Sequence, residues 1–191
     1  DMSRMEPDFT SERELPDEAY YGAQTLRARD NFHITGLPIS LEPKLAVALG
    51  YVKKAAALAN RELGVLEEPV AGAVCAACDR LIAGEFADQF ITDFIQGGAG
   101  TSINMNANEV IANIALESLG RPKGDYAFIN PNDHVNRSQS TNDAYPTALR
   151  LALILRLEPY IAALAGLHDT FAAQGAELAP ALQRGRTQES E

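Results

Sequence analysis

Two polar clusters hold the residue types from which this chain could build an anion-binding or proton-transfer site. The first, Ser138-Gln139-Ser140-Thr141-Asn142-Asp143, leads through Tyr145-Pro146 into a long apolar stretch from Ala148 to Leu157. Short hydroxyl and amide side chains of this kind favour helix N-caps, so the cluster stands at the mouth of a helix. A helix N-terminus offers unpaired N–H groups and a partial positive charge, and anions bind there. Pro146 is read into a first helical turn, where a missing N–H costs little. On these residues alone, a plain capping segment and a binding wall are both open.

The second cluster runs from Gln96 to Glu109. Its glycines, Gly97, Gly98 and Gly100, permit tight turns and close backbone approach to a ligand. Thr101 and Ser102 then open a helix reaching Leu119-Gly120. Ile103, Ala107, Val110, Ile114 and Ala115 make its apolar face, while the helical period sets Thr101, Asn104 and Asn108 on another. Asparagine is a mediocre helix former, so Asn104, Asn106 and Asn108 need a reason: a solvated face, or an interior polar network. The segment lacks the lysine of a phosphate-binding P-loop and the spacing of a dinucleotide fingerprint. Between the clusters, His134 in Asn130-Pro131-Asn132-Asp133-His134 could be a general base or a structural hydrogen-bonding group. No nucleophile or paired metal ligand stands at a suitable spacing from it.

Cys75 and Cys78 form a C-x-x-C, which invites a redox or zinc reading. They lie in a small-residue helical stretch, with no second C-x-x-C and no nearby histidine. We therefore read them as buried small hydrophobes, in keeping with a reducing cytoplasm.

The elements that must position these groups read as helices. Glu42 to Leu63 repeats Leu45, Leu49, Val52, Ala56 and Ala59 at helical spacing. Glu67 to Ile82 follows, with Pro69 in its first turn. Gly22 to Phe32 suits a short helix anchored by Leu26 and Phe32. Phe86 to Ile95 is mixed, with Phe90, Ile91, Phe94 and Ile95 expected inside. Arg121 to Arg137 is a loop. Asn142 to about Gln174 makes one long helix, open to a kink at Pro159, striped by Leu149, Leu153, Leu157, Tyr160, Leu164 and Leu167. Its length suggests a bundle or a subunit-spanning rod. Glu12 to Tyr21 reads as irregular, and no strand pattern stands out.

The 191 residues can bury a real core, and 46% hydrophobic with 22% charged residues is ordinary for a soluble globular protein. A net charge of −10 supplies no basic footprint for nucleic acid. It also repels anions, so an anionic ligand would have to be drawn in by local groups. No apolar run is long enough to span a membrane. Asp1 to Glu14 is charged, without the apolar core of a signal peptide.

Taken in order, three motifs resemble one family. They are Gly97-Gly98-Ala99-Gly100-Thr101-Ser102 with Asn104-Met105-Asn106-Ala107-Asn108-Glu109; Pro131-Asn132-Asp133-His134-Val135-Asn136 with Ser138-Gln139-Ser140-Thr141-Asn142-Asp143; and Gly185-Arg186-Thr187-Gln188. The chain is similar to the aspartase/fumarase superfamily from about Tyr20-Tyr21-Gly22 to Gln188. Within it, Asn130-Pro131-Asn132-Asp133-His134, Thr141 and Gln188 resemble the aspartase branch more than the fumarase branch.

The resemblance implies a mainly α fold. Residues 1–141 would be an N-terminal helical domain, and residues 142–191 the start of a long-helix central bundle. It implies reversible elimination of ammonia from L-aspartate to give fumarate, through an aci-carboxylate intermediate and without metal or organic cofactor. Thr101, Ser140 and Thr141 would contact the β-carboxylate. Asn142, with Thr101, Thr141 and Gln188, would hold the amino group, and Thr187 the α-carboxylate. The family carries its base, a serine, on a flexible loop beyond Gly-Arg-Thr-Gln together with a substrate-binding Lys and Asn. No residue of these 191 matches it, so the isolated chain is expected to be inactive. The family assembles as a cytoplasmic homotetramer, with each site shared among three subunits. A fumarase-type hydratase, and a non-catalytic helical fragment acting through self-association, stand as alternatives.

Overall fold

Architecture follows from one helix that is buried almost all round. The computed structural model describes residues 3–7 and 12–181. Its helices are α1 (Ala23–Asn31), α2 (Pro43–Glu62), α3 (Glu68–Ile82), α4 (Thr101–Ser118) and α5 (Thr141–Leu178). Every residue of α4 from Ile103 to Leu116 except Met105 is buried. A helix enclosed in this way is central to its domain, and α1, α2 and α3 all pack on it. The core joins Leu45 and Leu49 of α2, Val74, Cys78 and Leu81 of α3, and Ile103, Val110, Ile111 and Ile114 of α4. Ile129, Val135, Ala148 and Ala152 close it. The class is mainly α, as the residue pattern predicts.

Several local expectations change. Residues Ser3–Pro7 (β1) and Glu12–Pro16 (β2) pair antiparallel, with Arg4 opposite Leu15 and Glu6 opposite Arg13. Alternation conceals this hairpin because its polarity is inverted: Met5 is exposed and Glu6 is buried. Glu6 is held by Arg4, whose Nε lies 2.8 Å from Oε1. Within Arg121–Arg137, Pro131–Val135 forms a π-helical turn, capped by Asn130 accepting from the N–H groups of Asn132 and Asp133. Ile95 is exposed where burial was expected. The inner face of α2 carries Lys53, Ala57 and Asn60 rather than Ala56 and Ala59. Cys75 and Cys78 are free and buried, and burial raises both thiol pKa values.

Two compact units divide the chain, one to Leu153 and one from Ile154. In the second, α5 continues unbroken through Pro159. From Arg156 onward every described residue is exposed, including Leu157, Tyr160, Ile161, Leu164, Leu167 and Phe171. Large exposed apolar patches drive association. The 191-residue chain is therefore expected to sediment as oligomers; a monomer persisting at high protein concentration would contradict this. Among the described residues, no helix is long and apolar enough to cross a membrane.

Candidate functional site

The N-terminus of α5 is built by Ser140 and Asp143. Ser140 Oγ accepts from the Asn142 N–H at 3.2 Å, and the Ser140 N–H donates to Asp143 Oδ1 at 3.1 Å. This reciprocal pair is a capping box, so Ser140 does act as the cap. Its Oγ accepts in this bond, which leaves its proton to donate. The preceding turn needs Ser138 at φ 59°, in the left-handed region. Pro146 lies one turn deeper than expected, at the sixth residue of α5. It has no N–H, so the Asn142 carbonyl lacks its usual i+4 donor.

Thr141 is linked to α4. Its Oγ1 accepts from Asn104 Nδ2 at 3.1 Å, which leaves the Thr141 hydroxyl proton to donate elsewhere. Asn104 is 1% exposed, and Asn106 and Asn108 are fully buried, so these asparagines are interior rather than a solvated face. Asn104 joins a polar network, while Asn106 donates to the Gln89 carbonyl and Asn108 to the Met105 sulfur. Thr101 is the exposed first residue of α4, and its hydroxyl donates to the Gly98 carbonyl at 2.6 Å. In that rotamer its oxygen offers lone pairs to a ligand donor. Gly98, Ala99 and Gly100 all have positive φ. Gly100 also packs under Tyr145, where any Cβ would strike the ring. That contact and the Asn104–Thr141 bond bring the starts of α4 and α5 together. Ser140, Thr141 and Asn142 therefore form one wall beside the Asn104 end of α4. Thr187 and Gln188 lie outside the described residues.

His134 Nδ1 accepts from the Asn130 N–H at 2.9 Å. This bond fixes the tautomer with the proton on Nε2 and gives the histidine a structural role in the π-helical turn.

Sequence reading missed the burial of Lys53 and Glu109. Lys53, fully buried on α2, donates to Asn104 Oδ1 at 2.7 Å, Asn136 Oδ1 at 2.9 Å and Gln139 Oε1 at 3.0 Å. Burial pulls its pKa down to about 7, while the Cys78 sulfur and Asp143 carboxylate act in the opposite sense. Glu109 on α4 accepts from the N–H groups of Gly22, Gln24 and Thr25 at 2.9, 2.9 and 3.0 Å, and from the Thr25 hydroxyl at 2.5 Å. It thereby caps α1 from another element. Burial raises its pKa to about 7, with the Thr25 hydroxyl and the N–H groups of Gln24 and Thr25 opposing and the Glu6 charge adding to the rise. A lysine or glutamate on an otherwise apolar helical face is the signal that could have found both groups.

Hydroxyl, amide and backbone donors gathered at adjoining helix starts suit a substrate bearing carboxylates. The matching family model, described as Lyase, covers residues 11–190, and the chain belongs to that lyase family. It is 58% identical over 186 residues to a protein of Pseudomonas aeruginosa named aspartate ammonia-lyase, covering 97% of this chain and 39% of the relative. Two solved structures resemble its fold. A Brucella melitensis protein described as fumarate lyase:delta crystallin matches with TM-score 0.91 and 55% identity, over 98% of this chain and 44% of that one. A class II fumarase from Schistosoma mansoni matches with TM-score 0.73 and 33% identity, over 79% of this chain and 32% of that one. The chain thus spans about two fifths of the length of the curated relatives it matches.

Proposed function

We propose that this chain supplies one wall of the active site of an aspartate ammonia-lyase, which eliminates ammonia from L-aspartate to give fumarate. The observation that carries the reading is the hydroxyl pair at the start of α5. The Ser140 and Thr141 oxygens are both occupied as acceptors, by the Asn142 N–H and by Asn104, so both protons are left to donate. Removing a proton next to the β-carboxylate places a second negative charge on that group. Donors already aimed at the developing charge stabilise it without reorganisation. The ammonium needs acceptors instead. The Thr101 oxygen and the Asn142 side chain supply them, with Gln188 added by resemblance. Thr187 takes the α-carboxylate in the same reading. The base belongs to a loop that these 191 residues do not match. The isolated chain is therefore inactive in this reading, and the working form is a cytoplasmic homotetramer with sites shared among subunits.

The structural likeness to a class II fumarase makes hydration of fumarate to malate the competing reaction. The test uses the full-length polypeptide encoded by the reading frame containing this sequence. Absorbance at 240 nm should rise with L-aspartate and stay flat with L-malate. Turnover of malate without turnover of aspartate would replace the lyase reading with the hydratase one.

A further inference from the structure

A buried lysine without a carboxylate in contact is costly, yet Lys53 lies at the centre of the first unit with its ammonium on three amide oxygens. Each of those amides is thereby polarised. With its oxygen on Lys53, Asn104 must turn its NH2 outward, to Asn136 Oδ1 and Thr141 Oγ1, both at 3.1 Å. Asn136 donates to the Gln139 carbonyl at 3.2 Å. Gln139 donates to the Val135 and Arg137 carbonyls at 2.9 and 3.1 Å. Only a cation lets all three oxygens converge on one point. If the charge were removed, Asn104 would be free to reverse, its oxygen would face Thr141, and it would accept the Thr141 proton.

We propose that Lys53 is a positioning residue: by fixing the orientation of the Asn104 amide, it directs the Thr141 hydroxyl proton toward the substrate carboxylate. The inference rests on the ammonia-lyase reading. Lys53 touches no substrate and acts through Asn104 and Thr141. The groups facing it are Asn104 from α4, Asn136 and Gln139 from the loop before α5, the Cys78 sulfur from α3, and the Asp143 charge from α5. None of these replaces the ammonium as a source of three donors.

The experiment measures kcat and KM for L-aspartate below about pH 7, where Lys53 holds its proton, in the full-length polypeptide and in Lys53→Met, Asn104→Asp, Thr141→Val and Lys53→Met/Thr141→Val. Asn104→Asp keeps an acceptor for Lys53, which preserves the packing should Lys53→Met fail to fold. It removes the N–H that Thr141 accepts, so the Thr141 proton turns to the new carboxylate. Losing one donor to a developing oxyanion costs about 10²–10³-fold in rate. Lys53→Met and Asn104→Asp are each expected to lower kcat by about 10²-fold with little change in KM. Because the effect runs through one hydroxyl, adding Lys53→Met to Thr141→Val should give no further loss. A purely structural lysine would instead give losses that multiply. Wild-type-like kcat in Lys53→Met or Asn104→Asp, or multiplying losses in the double variant, would overturn the proposal while leaving the ammonia-lyase reading intact. An unsubstituted protein inactive on L-aspartate would overturn that reading and this proposal with it.

Discussion

Replacing Thr141 by valine in the full-length polypeptide is expected to lower kcat/KM for L-aspartate by about 10²–10³-fold, with a loss of stability of about 1–3 kcal/mol from the Asn104 N–H left unpaired. Valine matches threonine in shape, so the first turn of α5 keeps its packing. The hydroxyl is lost from a position where its oxygen already accepts from Asn104, leaving its proton as the functional part. Donors matter most where charge develops, so the loss should fall mainly on kcat. Asn104 Nδ2 retains Asn136 Oδ1 as a partner for one of its two N–H groups at 3.1 Å, and the other, which Thr141 accepts, loses its protein partner. Steady-state kinetics with a parallel melting curve checks both halves. Unchanged kcat/KM would remove Thr141 from the chemistry.

Glu109→Ala carries the largest expected effect on stability, a loss of about 3–5 kcal/mol, as for other substitutions that break a buried charged network. Four donors converge on this carboxylate: the N–H groups of Gly22, Gln24 and Thr25 and the hydroxyl of Thr25. Gly22 sits so close that a Cβ there would meet the carboxylate at 2.7 Å. Alanine would leave a cavity and the start of α1 uncapped. Urea denaturation measures the loss, and a midpoint near that of the unsubstituted chain would contradict it.

The same group sets a pH dependence. Burial raises its pKa from 4.5 to about 7 in the folded chain, so between those values the folded state holds more protons than the unfolded one. Its contribution to stability is present below about pH 4.5 and is lost as pH rises through about 7. The stability of the unsubstituted chain relative to Glu109→Gln should fall across that window. A flat or rising difference would contradict the assignment.

Helical spacing revealed α2, α3 and α4 because their buried faces are largely apolar, and the long α5 through a stripe from Leu149 to Leu167 that is exposed, the buried residues of that helix being Ala144, Ala148 and Ala152. It failed where burial and polarity part company. Lys53 and Asn60 face inward on α2, and a pattern built on apolar residues turns that helix toward Ala56 and Ala59 instead. On β1 the charged Glu6 is buried and the apolar Met5 exposed, which hides the hairpin. The asparagines of α4 were legible as a question but not as an answer. Asn104 is paired with Lys53, 51 positions upstream, and with Thr141, while Asn106 donates to the Gln89 carbonyl. The cap at Ser140 was legible because short hydroxyl and amide residues precede an apolar run there. Which lone pairs of Ser140 and Thr141 are occupied was not, since that depends on Asn142 and on Asn104 from another helix.

The central claim is that L-aspartate is converted to fumarate at this wall. It is tested most directly by following 240 nm absorbance with L-aspartate for the full-length polypeptide and its Thr141→Val variant side by side. The account predicts a steady rise for the first and a rate about 10²-fold or more lower for the second. Equal rates would place the chemistry away from Ser140-Thr141-Asn142, and no rise in either would contradict the ammonia-lyase function itself.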